Sequence, residues 1–509
     1  MSSLPLLTLM MVVPLVGAIV VALLPTSVRY GRQIALGASL LTLALAIAGW
    51  ASYDTGSTAQ FQLTETHPWI TQFGVSYAVG VDGMALALII MATILTPIVM
   101  LAAWDDVPEG GRRENTYFAL LLVLETFMVG VFAATDVFLF YVFFEAMLIP
   151  VYFLIGLYGG ARRQYAAVKF LLFSLAGGLV MLIAVIALYF HGPGGAEGFL
   201  IEKLTGAVTG STTAQRLMFL GFFVAFAVKA PMWPVHTWLP DSATEAKPAV
   251  AVLLVGVLDK VGTFGMIRFC LQLFPEASKW ATPTILVLAV ISIVYGALLA
   301  IGQTDMMRLI AFTSISHFGF IVLGIFALTS TAGAGSTLYM INHGFSTAGL
   351  FLIAGFLVAR RGSKRIPDFG GWQRVTPVLA GTFLLAGLSG LALPGLGSFL
   401  SEFLVIAGTF ERYKVAAIIA ATGTVLAALY ILLMYQRTMT GPKPDLSVEV
   451  ADLGLREKLV VVPLIASFLV LGFYPKPVLD LINPSVTTTM QHVGVTDPGP
   501  TVAVSGSAQ

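Results

Sequence analysis

The chain has 509 residues, of which 58% are hydrophobic and only 10% charged, with Lys+Arg 27 against Asp+Glu 26. Soluble domains carry roughly 25% charged residues, so this composition excludes an ordinary soluble enzyme, a disordered chain and, with so little basic excess, a nucleic-acid binder. The single cysteine, Cys270, excludes a disulfide framework, a CxxC zinc site and a protein-held iron–sulfur cluster, which leaves an all-α polytopic membrane protein.

A spanning helix needs roughly 20 mostly apolar residues, and hydropathy predicts about fourteen of them. They lie near Leu4–Leu24, Ile34–Ala51, Ala78–Leu101, Asn115–Ala134, Asp136–Leu157, Phe170–Phe190 and Arg216–Pro234. The rest lie near Pro248–Leu271, Thr282–Ile301, Met306–Leu328, Ser336–Ala359, Thr376–Gly408, Val415–Gln436 and Leu459–Tyr474. The first span has no positive residue before it, and Arg29 and Arg32 follow it. It is expected to be a retained helix with its N-terminus outside, not a cleaved signal peptide. Alternating the loops from that start puts 17 Lys and Arg inside and 6 outside. This bias orients the chain with both termini outside. Thr376–Gly408 is too long for one straight helix and contains Leu393-Pro394-Gly395, so a break is expected there.

Six strong charges fall inside apolar spans: Glu125, Glu145, Lys229, Asp259, Lys260 and Glu402. His317 and His343 join them, while Lys169 and Arg268 lie close enough to helix ends to snorkel. A central charge costs about 2.5–3.5 kcal/mol on the insertion scale, so the six together cost on the order of 15–20 kcal/mol. They must face protein or water, and ionisable groups of both signs together with histidines point to a proton or ion path. Static interhelical ion pairs are the simpler reading for any one of them. Proline breaks mark the same places. Pro231 follows Lys229 by two residues and Pro394-Gly395 precedes Glu402, and broken helices at membrane depth are tolerated where they line a cavity or are buried in protein.

Spacing indicates an internal repeat. Glu402 follows Lys229 by 173 residues, and His317 follows Glu145 by 172. The offset is five helices, an odd number, so the second copy is expected to be inverted. One transmembrane domain over 1–509 is therefore predicted, with peripheral helices at 1–114, a first repeat at 115–272 (helices 4–8) and an inverted second repeat at 281–436 (helices 9–13). An inside loop, a last helix and an outside tail complete it at 437–509.

Burial in low dielectric loosens a lysine's proton and a nearby carboxylate restores its charge, so Lys229 is a switch if Glu145 can approach and withdraw. Histidine suits an intermediate station. The order Lys229, Lys260, His317 or His343, then Glu402 describes a lateral proton wire. Asp259 and Lys260 are adjacent on a helix and need not pair. Glu125 has no partner evident in the sequence. His236 lies in Trp233-Pro234-Val235-His236-Thr237-Trp238, an interfacial pattern of Trp and Pro. His67, His191 and His492 read as solvated loop residues. No dinucleotide, Walker or nucleophile motif is present, and haem ligation by His317 and His343 is a weaker reading than a relay.

At these residues the chain resembles the antiporter-like membrane subunits of respiratory complex I, and most closely their M-type branch. The resemblance runs from about Asn115 to Gln436. It is carried by Phe144-Glu145-Ala146-Met147-Leu148-Ile149-Pro150, Lys229-Ala230-Pro231, His236-Thr237-Trp238-Leu239-Pro240-Asp241, Ser316-His317-Phe318-Gly319, Asn342-His343-Gly344-Phe345-Ser346, and Leu393-Pro394-Gly395 through Ser401-Glu402-Phe403. It implies a fourteen-helix fold with two inverted five-helix repeats. It also implies Glu145 and Lys229 as the coupling pair, Lys260 and His317 as the central relay, His343 as a further axis histidine and Glu402 as the terminal station. Related L- and N-type subunits and sodium/proton antiporters tend to carry lysine at that last position. The chain departs from the family at Ser242-Ala243-Thr244-Glu245-Ala246-Lys247 and at Asp259.

The implied function is proton translocation in the bacterial cytoplasmic membrane, driven by redox chemistry elsewhere. The chain would hold no cofactor, with FMN, iron–sulfur clusters and quinone in partner subunits. The implied partners are the L- and N-type membrane subunits, the redox arm and lipids, with no nucleic acid. The competing readings are a subunit of a multisubunit sodium/proton antiporter and a membrane scaffold without transport.

Overall fold

The computed structural model describes residues 4–25, 29–107, 112–444 and 450–499. The helices follow the apolar spans. They are α1 (Leu6–Leu23), α2 (Gly31–Ala51), α3 (Gly83–Ala102), α4 (Arg112–Ala133), α5 (Val137–Ala146), α6 (Leu148–Tyr158), α7 (Arg163–His191), α8 (Ile201–Leu204), α9 (Thr212–Lys229) and α10 (Trp238–Glu245). They continue as α11 (Pro248–Leu253), α12 (Asp259–Gly265), α13 (Pro275–Ile301), α14 (Met306–Phe326), α15 (Ser330–Arg361), α16 (Pro377–Gly390), α17 (Gly397–Arg412), α18 (Lys414–Met439), α19 (Leu455–Phe473) and α20 (Lys476–Val493). Among the described residues, 11 helices are long and apolar enough to cross a membrane, or up to 12 if the bent pair α19 and α20 is one span. Both chain termini, expected outside, lie beyond the described residues.

Burial sorts these helices into two classes. The segment Pro248–Leu271 and α14 are wholly buried, and α15 nearly so. They carry Lys260, His317 and His343. The outer helices α1, α2, α7, α13 and α18 instead expose Leu, Ile, Val and Phe, among them Ile183, Phe190 and Val425. An apolar exterior over a polar-containing centre is what lipid requires, because an unmet polar group in hydrocarbon costs several kcal/mol.

Two expectations need correction. The residues between α2 and α3 are not only a loop. They form an antiparallel hairpin of β1 (Gln62–Ile70) and β2 (Val75–Val81), turned at Gly74, whose φ of +68° suits glycine. The hairpin is anchored by its backbone: Thr135 N donates to Ala78 O at 2.9 Å, and Ser76 N donates to Asp136 Oδ2 at 2.9 Å. The predicted outside tail after Tyr474 begins with α20, bent by 69° from α19 and packed on α3 and α15. Its polar residues kept it below the hydropathy of a span, but Leu481, Ile482, Val486 and Met490 are buried together. The predicted fifth span is present as Val137–Tyr158, with a local break at Met147, two residues after Glu145, that separates α5 from α6.

The predicted breaks are present. Helix α9 stops at Lys229, two residues before Pro231, and the stretch read as Thr376–Gly408 is α16 and α17 separated by residues 391–396. There Ala392 and Gly395 have φ of 59° and 91°, in the left-handed region that a continuous helix does not visit.

Candidate functional site

Pro231 cannot continue α9, so carbonyls of its last turn lose their helical partners. The fold meets both needs locally. Met232 N bonds Ala227 O at 3.0 Å, and the Trp238 indole Nε1 donates to Val228 O at 2.9 Å. Lys229, 1% exposed, therefore stands on a stabilised broken end. Its ammonium has no hydrogen-bond partner and lies 5.0 Å from the Phe144 ring centre and 5.7 Å from that of Phe170. Aromatic faces offer a desolvated cation some attraction without fixing its direction.

Glu145 lies one residue beyond Phe144, partly exposed, with Oε1 unpartnered. Its carboxylate occupies the space that a side chain at Gly178 of α7 would fill. Lys229 and Glu145 are within electrostatic reach, but among the described residues no ion pair joins them.

Lys260 lies on α12 between two π-helical turns, Leu254–Leu258 and Met266–Leu271. A π turn displaces the usual backbone pairing and leaves carbonyls open. Lys260 Nζ takes one, donating to Val255 O at 2.6 Å, and lies 2.7 Å from His343 Nδ1. The Phe318 ring lies 5.0 Å from the same ammonium. His343 Nε2 meets Thr347 Oγ1 at 3.1 Å. An ammonium can only donate, so with Lys260 charged, His343 Nδ1 accepts and its Nε2–H points to Thr347.

From His343 the series continues. The His317 ring lies edge-on at 5.2 Å between centres. His317 Nε2 is 3.2 Å from the Tyr430 hydroxyl, and Nδ1 has no partner. The Tyr339 ring lies 5.9 Å from that of His317, and its hydroxyl donates to Glu402 Oε2 at 2.8 Å. Thr424 donates to the other oxygen, Oε1, at 2.5 Å. The helix break before Glu402 is held from α15, where Asn342 Nδ2 donates to Gly397 O at 2.6 Å and to Ser401 Oγ at 3.2 Å. Lys260, His343, His317, Tyr339 and Glu402 thus form a row of buried polar groups that crosses α12, α14, α15 and α17.

The remaining sequence candidates separate. Asp259 is fully buried, and neither carboxylate oxygen has a hydrogen-bond partner. Glu125 on α4 is likewise buried with both oxygens unpartnered, and the structure does not join it to the row. His236 stands apart as well, edge-on to Tyr295 at 5.2 Å with Nδ1 unpartnered.

Two residues expected to snorkel do not. Arg268 is buried and pairs with Asp82 at 2.7 Å, over the rings of Phe61 and Phe264. Lys169 pairs with Asp241 at 2.6 Å, and Arg308 reaches the other Asp241 oxygen at 2.6 Å. In both places the partner lies on a distant segment, Asp82 at the N-cap of α3 or Asp241 on α10, which hydropathy cannot reveal. Burial alone would push the Asp241 carboxyl up, but hydrogen bonds from Lys169 and Arg308 outweigh it and hold the group below its ordinary value. In the departing loop, Glu245 accepts from Arg162 N at 2.9 Å and faces Lys364 at 3.8 Å, so it ties the Arg-rich loops together. The expectation of solvated histidines fails in part: His191 is the last residue of α7, with Nδ1 2.9 Å from Ala187 O, and His492 lies in α20 with a buried, unpartnered Nδ1.

Sequence reasoning missed Tyr339, Tyr430 and Thr424. Tyr339 precedes His343 by four residues and so shares its helix face, a signal that was present. Tyr430 and Thr424 lie in the charge-free run of α18 and gave none.

Comparison with known proteins places this architecture. The family described as NADH:quinone oxidoreductase/Mrp antiporter, TM, matches residues 134–427. The chain is 50% identical over 538 residues to NADH-quinone oxidoreductase subunit M of Mycobacterium tuberculosis, covering 99% of this chain and 97% of that one. It superposes on a chain of respiratory complex I from Thermus thermophilus with TM-score 0.87 and 30% identity, over 96% of this chain and 100% of that one. A chain of the Mrp complex from Dietzia sp. matches with TM-score 0.83 at 22% identity, over 97% of this chain and 100% of that one, a likeness of fold alone.

Proposed function

Because the chain belongs to the subunit M family of NADH-quinone oxidoreductases, antiporter-like membrane subunits of respiratory complex I, we propose that it moves protons across the membrane along the row from Lys229 to Glu402. Redox chemistry in partner subunits drives the movement. The observation that supports this most is the contact series itself: Lys260 on His343, His343 against His317, His317 beside Tyr339, and Tyr339 on Glu402. Four helices contribute to it, and each member is buried. A merely structural ion pair would need two groups, not five.

Each group has a role that its surroundings allow. Glu145 and Lys229 form the coupling pair. Without an ion pair to Glu145, the Lys229 ammonium rests on the rings of Phe144 and Phe170 and can give up its proton. Approach of Glu145 restores the charge, since opposite charges about 4 Å apart gain about 4 kcal/mol at an effective dielectric of 20. Lys260 passes a proton to His343 Nδ1, to which it is already hydrogen-bonded. His317, with one nitrogen open, connects His343 to the tyrosines, and Glu402 is the terminal station.

The reading extends to organisation and surroundings. Two inverted five-helix repeats place Lys229 and Glu402 beside equivalent breaks, within fourteen spans and one transmembrane domain. The Arg-rich loops face the cytoplasm of a bacterium, and the chain sits in the cytoplasmic membrane. L- and N-type subunits and lipids flank it, and FMN, iron–sulfur clusters and quinone belong to the partners. The test is proton uptake by inverted membrane vesicles oxidising NADH. Lys229→Ala should abolish this chain's share of pumping while the complex remains assembled. Undiminished pumping by that variant refutes the proposal.

A further inference from the structure

We propose that Asp259 is a positioning and relay carboxylate that carries the proton between Lys229 and Lys260. The proposal rests on the proton-relay reading above. The structure gives Asp259 a surrounding unlike that of the aspartates that hold helix ends and ion pairs.

The buried structural aspartates are satisfied. Asp82 accepts from Ala85 N at 2.9 Å and pairs with Arg268 at 2.7 Å. Asp136 accepts from the backbone of Ser76, Phe138 and Leu139, each at 2.9 Å. Asp259 is equally buried, yet neither oxygen has a hydrogen-bond partner. Its neighbour in sequence, Lys260, directs its ammonium at Val255 O and His343 instead. A buried carboxyl without donors is costly, and such a cost persists where the group must change state.

Helix geometry says where Asp259 faces. Gly262 follows it by three residues and so shares its face of α12. That face is pressed on the broken end of α9: a Cβ on Gly262 would meet Phe226 O at 2.6 Å, Ala230 N at 2.7 Å and the Ala230 Cβ at 2.8 Å. Ala230 is the residue after Lys229. The carboxyl is thus turned toward the end of α9 that bears Lys229, and the two ammonium groups of Lys229 and Lys260 are the charges within its electrostatic reach.

The transfer balances without a further reactant. The Lys229 ammonium gives a proton to the Asp259 carboxylate, leaving a neutral amine and a neutral acid. Lys260, already neutral after passing its proton to His343, then takes the proton from Asp259 and regenerates the carboxylate. The neutral Lys229 amine takes its next proton from the aqueous side where protons enter, and approach of the Glu145 carboxylate favours that uptake.

The experiment uses the assembled complex in inverted vesicles, with Asp259→Asn, Asp259→Glu, Lys229→Ala and Lys260→Ala compared for NADH oxidation and proton uptake over a pH series. Asp259→Asn should lower coupled pumping about tenfold or more, within the range that a positioned proton-transfer group supplies, and Asp259→Glu should restore most of it with a displaced pH profile. Wild-type pumping and pH profile in Asp259→Asn, while Lys229→Ala and Lys260→Ala lose pumping, overturn this proposal alone. Normal pumping in the two lysine variants overturns the relay reading itself. Should Asp259→Asn fail to assemble, Asp259→Glu decides: a displaced pH profile supports the proposal and an unchanged one overturns it.

Discussion

The Tyr339 hydroxyl offers the sharpest perturbation, because Tyr339→Phe removes one atom and keeps the ring. That atom donates to Glu402 Oε2 at 2.8 Å, and Thr424 occupies the other oxygen. Tyr339 is 1% exposed and Glu402 3%, so bulk water does not replace the lost donor. A hydrogen bond to a charged group is worth about 1.5–3 kcal/mol, against about 0.5–1.5 kcal/mol for a neutral pair. If Glu402 cycles through its carboxylate, the substitution destabilises that form by about 1.5–3 kcal/mol relative to the acid, or roughly 10- to 150-fold in proton release. Packing contributes little, since phenylalanine retains the ring contact with His317. Coupled proton uptake in vesicles oxidising NADH should fall about tenfold or more in the assembled variant, and Thr424→Val should deepen the loss in the double variant. Wild-type pumping by Tyr339→Phe across neutral pH refutes the reasoning, because it means that Glu402 stays neutral or lies off the proton's path.

Other outcomes follow from the same contacts. Arg268→Leu strands Asp82 as a buried, unpaired charge and should cost about 3–5 kcal/mol, read as a lower thermal transition of the complex or as loss of the subunit from it; an unchanged transition shows that Asp82 finds another partner. Trp238→Phe removes the indole donor from Val228 O at the end of α9 and should lower stability by about 1 kcal/mol in the same measurement, with the Lys229 environment loosened. Gly178→Leu should displace the Glu145 carboxylate and impair pumping more than assembly; equal pumping would separate Glu145 from coupling. Asp241 is held below its ordinary value by Lys169 and Arg308. Its contribution to stability is therefore present above the unfolded carboxylate range of about 3.9 and is lost as pH falls through the lower folded value. Acid-induced loosening in this window should disappear in Asp241→Asn, and an unaltered acid transition counts against the contact.

Much of the site was legible because lipid penalises charge residue by residue. Glu145, Lys229, Lys260 and Glu402 could be picked from the sequence without knowing any neighbour, and Pro231 and Pro394-Gly395 announced the breaks. The hairpin was not legible. Strand β1 contains Pro68, and β2 is held by hydrogen bonds with Thr135 and Asp136, which follow α4. Helix α20 escaped because its apolar face is diluted by Thr, Ser and Asn, so only packing on α3 and α15 makes a helix of it. Arg268 and Lys169 were misread for the same reason: an arginine near a helix end can snorkel or pair, and only the position of Asp82 or Asp241 decides which.

The sequence by itself determined which groups had to leave the lipid and where the helices had to break, since both are local costs written in single residues. Only the tertiary structure decided who meets whom. Lys260 and His343 are 83 residues apart, and His317 and Tyr430 are 113 apart. Those contacts depend on how whole helices pack, and so does the turning of Asp259 toward α9 and away from water.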